Sequence, residues 1–378
     1  MGHPYDDLRL TELRRRRSMK WRQHPADVLP VQVAELDFPL AEPVRAALAD
    51  LAERGDTGYS SGLELPEAYA DFAAYRYGQA IDPASCHLVG DVMQGVYVAL
   101  RLFTEPGAGI VICPPVYHPF FSTIEAAGRA VVPVPLAAGN DLDFAGLEAA
   151  FAQGASVFLL CTPHNPVGRV WSTEDLMSVA ELAARYGVLV LADEIHAPLT
   201  YPGVRHTPFG SLDYHAVARS ISFVSASKAW NLPGLKCALA VTGSAELGSR
   251  WARLPELVPV AASIFGVAAS VAAFTEGRSW LDDTLGYLDG NRALLGRLLA
   301  ERLPGVRWVP PEATYLAWLD CSSLGLGDDP GSVFLERGRV ALDRGPRFGE
   351  PGAGFARFNF GTSRSLVTEA VDRMAAAL

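Results

Sequence analysis

The chain has 378 residues, 49% apolar and 20% charged, enough to bury a large core without staples, as two domains or as one large α/β domain with a smaller one appended. Its formal charge of −10 argues against a polyanion such as nucleic acid, which needs clustered cations facing phosphates. Of the 32 basic residues only Lys20, Lys228 and Lys236 are lysines, so each invites a reason even though coding bias towards arginine accounts for the skew as a whole.

The start, Met1-Gly-His-Pro-Tyr-Asp-Asp7, lacks a charged segment followed by an apolar one, and no targeting signal is expected. The basic run at residues 14–17 reads as a solvated patch. Residues 42–54 have helical apolar spacing and stop before Gly55. A turn-rich stretch follows, Gly58-Tyr-Ser-Ser-Gly62, then helical patterns at 66–77 and 95–103. From there short β-branched runs alternate with helical ones. The pairs are 110–113 with 120–128, 130–134 with 144–151, and 157–161 with 173–186, before a further run at 188–192. That alternation predicts an α/β fold with a mostly parallel sheet and helices on both faces. The uncharged stretch 257–275 is interrupted by Pro259, Ser263, Gly266 and Ser270, so it reads as a buried small-residue helix rather than a membrane span. Five cysteines, Cys86, Cys113, Cys161, Cys237 and Cys321, lie at least 27 residues apart. That spacing fits neither zinc nor a disulfide framework, and reduced thiols in a cytoplasmic protein are expected.

Parallel sheets bind ligands at the C-terminal ends of their strands. Past the apolar run 188–192 stands Asp193-Glu-Ile-His196, a carboxylate whose burial is costly unless it meets a cation. An ion pair with no catalytic role would explain Asp193 alone. The run 157–161 leads into Thr162-Pro-His-Asn165-Pro-Val-Gly168-Arg169, and the run 221–224 leads into Ser225-Ala-Ser227-Lys228. A lysine beside an apolar strand end has the setting that lowers an amine's pKa and makes it a nucleophile or base.

The order Asn165-Pro-x-Gly168-Arg169, Asp193 28 residues after Asn165, Ser225-x-Ser227-Lys228 with the lysine 35 residues further, and Arg357-Phe-Asn-Phe-Gly-Thr-Ser resembles the fold-type-I pyridoxal-phosphate enzymes of the aspartate aminotransferase superfamily. More narrowly it resembles the cystathionine β-lyase or C–S lyase subgroup, MalY/PatB-like. The segments that carry this are Ser18-Met-Lys-Trp21, Val33-Ala-Glu-Leu-Asp37-Phe38, Gly58-Tyr59, Pro114-Pro-Val-Tyr117, Asp193-Glu-Ile-His196 and Ala313-Thr-Tyr-Leu-Ala-Trp-Leu-Asp320. They span essentially the whole chain. The resemblance implies an N-terminal segment (1–40) that joins the small domain, a large cofactor domain (41–275) and a C-terminal small α+β domain (276–378). It also implies a homodimer with shared active sites, no membrane and no nucleic acid.

The same resemblance implies roles residue by residue. Lys228 would carry pyridoxal 5′-phosphate covalently and act as the base at Cα. Asp193 would keep the pyridine nitrogen protonated. Tyr117 would stack on the ring, with Ile195 on its opposite face, although a plain core aromatic would also explain Tyr117. Asn165 would bond the phenolic oxygen, with His196 close by. Phosphate would sit on the backbone of Val92 and Met93 at a helix start, with the hydroxyls of Ser225 and Ser227. Lys236 is either a further phosphate ligand or a surface lysine. Tyr59 would reach the neighbouring subunit's cofactor and take part in catalysis there. Arg357 would grip the substrate carboxylate, with Ala34 and Asn165 beside it.

Several positions depart from the subgroup pattern: Gln32, Glu35, Asp91, Pro198 and Trp230. All are expected near the site mouth, and they put the substrate's identity in doubt. A carboxylate at Asp91, beside a phosphate, is the least expected of them. His196, three residues after Asp193, fits the lyase pattern, where plain aminotransferases of the superfamily carry tyrosine. Three readings stay open at this point. They are C–S β-lyase, a related reaction on the same site (transamination or decarboxylation-coupled oxidative deamination), and a non-catalytic binding protein.

Overall fold

In the computed structural model, which describes residues 3–378, the β-branched runs form strands and the periodic runs form helices. Met1 and Gly2, which open the start read above, lie outside the described residues. In chain order the strands are β1 (Leu29–Pro30), β2 (Cys86–Val89), β3 (Gly109–Ile112), β4 (Ala130–Pro133), β5 (Val157–Cys161), β6 (Leu189–Asp193), β7 (Ser220–Val224), β8 (Ala238–Thr242), β9 (Arg307–Trp308), β10 (Leu316–Asp320), β11 (Val340–Ala341), β12 (Asp343–Arg344) and β13 (Phe355–Asn359). A seven-stranded sheet runs β2-β8-β7-β6-β5-β3-β4, and only β8 opposes its neighbours.

The central strands are apolar throughout because both faces are covered. Val157, Leu159, Leu189 and Leu191 pack into one core, while Phe158, Leu160, Val190 and Ala192 pack into the core on the opposite face. This parity sends Asp193 and Glu194 to opposite faces of the sheet. A second sheet, antiparallel in the order β12-β13-β10-β9, is built from the last part of the chain. The N-terminal segment lies against it: β1 pairs with β11, and Asn359 N–H donates to Val31 O at 2.8 Å.

The structure corrects three expectations about the elements. The helix read at 95–103 starts earlier, at Val92, because Asp91 caps it by accepting from Gln94 N at 2.8 Å. Residues 257–275 are not one helix but a short turn, Pro259–Ala261, and a helix, Ile264–Thr275. The break lies at Ala262 and Ser263, whose backbone is extended and where Ser263 N–H donates to Lys236 O at 2.9 Å instead of to a preceding turn. Strands β2 and β8 have no counterpart in the sequence reading, because β2 is a four-residue run that opens on Cys and His and β8 carries two alanines, a residue depleted in strands. Among the described residues no helix is long and apolar enough to cross a membrane.

Lys20, without chemistry in the sequence, acquires a structural role. It is 1% exposed and its Nζ donates to Asp37 Oδ2 at 2.8 Å and to Glu35 O at 3.2 Å. Trp21 Nε1 donates to the other carboxylate oxygen at 2.9 Å. This buried pair pins residues 31–37, whose backbone lines the site described below. Removing Lys20 leaves the buried Asp37 carboxylate with only the partly exposed Arg16, 3.9 Å away, as a cation, so Lys20→Met is expected to destabilise the protein by about 2–4 kcal/mol in chemical denaturation.

Candidate active site

Five segments converge at the C-terminal edge of the large sheet. They follow β2, β3, β5, β6 and β7, and those after β5, β6 and β7 turn polar soon after the strand ends. Between them lies a cavity of about 170 Å³ lined by Ala34, Asp91, Val92, Met93, Tyr117, Cys161, Asn165, Asp193, Ile195, His196, Ser227, Lys228, Lys236 and others. Eleven residues proposed from the sequence are therefore brought together in one place.

Asp193 ends β6, in register with Cys161 of β5 and Phe223 of β7. Its Oδ1 accepts from Ile195 N at 3.1 Å, and burial pushes its carboxyl up to about 7. Such a group gains from any cation placed against it. Lys228 projects from the turn after β7, and its Nζ donates to Ala34 O at 2.9 Å. Burial, reinforced by the charge of Arg357, lowers the amine to about 8. A sizeable neutral fraction is then available near neutral pH, as nucleophilic or basic work requires. Burial holds the His196 imidazole well below its usual range, so the ring is neutral, and its Nδ1 has no partner. Tyr117 is raised to about 12 by burial and stays protonated.

One end of the cavity is the start of the helix Val92–Phe103, whose first N–H groups have no intrahelical acceptor, a setting that favours an anion. Here the unexpected Asp91 finds its explanation. One oxygen caps the helix, and the other pairs with Lys236 Nζ at 2.7 Å, so its charge is offset locally. Lys236 itself has φ +53°, a left-handed backbone unusual for lysine, held by Ser263 N–H donating to its carbonyl at 2.9 Å. It lines the cavity through its pairing with Asp91, while its side chain is 59% exposed.

Asn165 sits on a loop clipped to a distant segment. Gly168, at φ +72°, lies so close to Pro311 that a Cβ would come within 2.3 Å of the ring, and its carbonyl accepts from Glu312 N and Ala313 N. Only glycine fits there. A second cleft of about 350 Å³ adjoins the cavity through Ala34, Tyr117 and Lys228 and is lined by Gln32, His118, Asp343, Arg347 and Arg357 among others. The Arg357 guanidinium, 3% exposed, donates to Asn165 Oδ1 at 3.0 Å, Gln32 O at 2.9 Å and Asp343 Oδ2 at 2.7 Å, while its Nε has no acceptor.

Some expectations do not hold. Ser225 does not line the cavity: its hydroxyl donates to Cys237 O at 2.7 Å and is used up in the turn. Tyr59 is a different case: expected to reach a neighbouring subunit rather than its own, it is 90% exposed and stands outside this chain's cavity. Trp230 is a core residue, with Nε1 donating to Gly277 O at 2.9 Å and its ring packed on Phe72 and Phe274. Pro198 likewise lies behind the site, in a short turn, rather than at its mouth. Two site residues escaped the sequence reading. Asp343 lies in an irregular stretch without a pattern, and Tyr315, whose hydroxyl donates to Ala34 O at 3.1 Å, received no role in the sequence although its segment carries part of the resemblance.

A family profile described as aminotransferase class I and II matches residues 26–374. The chain is 36% identical to a protein of Corynebacterium glutamicum named cystathionine beta-lyase, covering 98% of this chain and 99% of that one. It is 34% identical to the Bacillus subtilis protein named cystathionine beta-lyase PatB, covering 93% of each. Among solved structures, the pyridoxal-phosphate-containing cystalysin of Treponema denticola superposes with a TM-score of 0.91 at 26% identity, covering 100% of this chain and 99% of that one.

Proposed function

This chain belongs to the aminotransferase class I and II family, with the aspartate aminotransferase-like fold, and from that premise we propose that it is a pyridoxal-phosphate-dependent carbon–sulfur β-lyase acting on S-substituted L-cysteine. The observation that carries the reading is one cavity in which a lysine amine of lowered pKa, a buried carboxylate and an anion-binding helix start face one another. The donor set fits the cofactor. Asp193 matches a protonated ring nitrogen, Tyr117 offers a ring face, and Val92 and Met93 with Lys236 match a phosphate. Relatives named as cystathionine β-lyases support the same chemistry.

When bound, the cofactor supplies a sink for the electron pair left by Cα deprotonation. Lys228 would hold it covalently and, once the substrate amine has taken its place, the freed lysine amine would take the Cα proton. Asp193 would keep a proton on the pyridine nitrogen. Arg357 and Asn165 hold the substrate α-carboxylate, which orients the Cα–H bond towards Lys228. The C–S bond then breaks with its electron pair leaving on sulfur, and the thiolate takes a proton. Hydrolysis of the remaining three-carbon fragment yields pyruvate and ammonia. The adjoining cleft, about 350 Å³ and lined in part by Arg357, is the space this reading gives to the S-substituent, a conjugate bulkier than cystathionine included. The exposed Tyr59 fits a homodimer in which it reaches the other subunit's cofactor.

The test is stoichiometric release of thiol and pyruvate from S-alkyl and bulkier S-conjugated cysteines, with the visible absorbance of the bound cofactor recorded alongside. Keto-acid-dependent amine transfer without thiol would identify an aminotransferase instead, and absence of the visible band would sink the cofactor assignment. Arg357→Ala is expected to raise KM roughly tenfold to a hundredfold with a smaller change in kcat, because an anchoring group binds ground and transition states alike. Steady-state kinetics of thiol release measures the split.

A further inference from the structure

Arg357 is not a free guanidinium waiting for a carboxylate. It already faces one that belongs to the chain. Asp343 on β12 is the direct cross-strand partner of Arg357 on β13, and it is 5% exposed. Its Oδ2 accepts from Arg357 Nη2 at 2.7 Å. Its Oδ1 accepts from Arg347 Nη1 at 2.9 Å and from Arg344 N at 3.2 Å. The Arg357 guanidinium also lies 4.9 Å from the Phe348 ring centre, so a carboxylate, an amide oxygen, a backbone carbonyl and an aromatic face together leave it one orientation.

We propose that Asp343 is the positioning residue of the substrate-carboxylate site: it sets the Arg357 guanidinium before substrate arrives. The charges agree with this. One carboxylate stands between Arg357 and Arg347, so the trio keeps a single positive charge, which is matched by a single substrate carboxylate. His118, whose Nε2 is 3.9 Å from Asp343, is held down to about 4 by burial and by Arg347, so it adds no charge at neutral pH. The Arg344 guanidinium is bound to Asp329. The Arg357 Nε, buried and without an acceptor, independently marks donor capacity that the protein does not use. Preorganisation of this kind strengthens binding because the ordering of a long side chain is complete beforehand.

The inference rests on the lyase reading only in taking the substrate to be an amino acid, and its test does not need turnover. The probe is 3-(methylthio)propionate, which has a carboxylate and a thioether but no amine to react. Its Kd is measured by calorimetry on cofactor-loaded wild type, Asp343→Ala and Asp343→Asn. The alanine variant is expected to bind about tenfold more weakly with the visible cofactor band unchanged, while the asparagine variant, which keeps an acceptor for Arg357, stays within about threefold of wild type. With S-methylcysteine the same alanine variant should show the loss in KM rather than in kcat. Wild-type affinity in Asp343→Ala, equal weakening in both variants, or loss of the cofactor band in step with affinity would overturn the assignment. If wild type releases no thiol from any S-substituted cysteine, the lyase reading fails, and the Kd comparison still decides the role of Asp343.

Discussion

Lys228→Ala is expected to lower thiol release by roughly four orders of magnitude or more, because one residue supplies both the covalent hold and the proton acceptor. The setting supports this double duty. The amine lies at the shared wall of the cavity and the adjoining cleft, and burial brings it down to about 8, so it can exchange protons at neutral pH. Lys228→Arg is expected to fail equally, since a guanidinium that stays charged neither forms an imine nor accepts a proton. Steady-state thiol release and the visible cofactor band provide the measurement. Turnover retained in either variant would remove Lys228 from the base role.

Asp193→Asn is expected to reduce kcat roughly a hundredfold to a thousandfold with little change in substrate KM, by analogy with removal of one preorganised charge from other active sites. The fold, not the group's intrinsic acidity, makes it effective. Burial raises the carboxyl to about 7, so an ionised Asp193 gains strongly from a proton held opposite it on a ring nitrogen. An amide is isosteric with the carboxylate and keeps the acceptor for Ile195 N, so the loss reports charge rather than shape. The absorbance of the bound cofactor across pH is the second readout. A variant with wild-type kcat would show that the ring nitrogen needs no anionic partner here.

Much of the architecture was legible because it is written in short-range periodicity. The helix Thr173–Tyr186 and the strand Val157–Cys161 have the bounds that the sequence pattern predicts. A buried parallel strand must be apolar on both faces, and a helix must repeat its apolar residues every turn, so local pattern and local structure coincide. Strands β2 and β8 were missed because their alanines, cysteine and histidine carry no such pattern, and their pairing partners lie far away in sequence. The candidate site was legible to the extent that it follows strand ends. Asp193 comes directly after an apolar run, Asn165 and Lys228 each follow one within four residues, and all three line one cavity.

The three lysines mark the boundary between what the chain shows in one dimension and what it shows in three. The sequence by itself determined that Lys228 stands at a strand end, where an amine is useful and a guanidinium is not. It could not say what Lys20 and Lys236 do. Only the tertiary structure joined Lys20 to Asp37 under the N-terminal segment, turned Lys236 through a left-handed backbone onto Asp91, and set Asp343 against Arg357 across two strands. Ser225 was likewise diverted to a carbonyl, and Trp230 to the core. The reason is physical. Periodicity reports which face of an element is buried, but the partner of a buried charge or hydroxyl is set by strand register and loop closure between segments far apart in the chain.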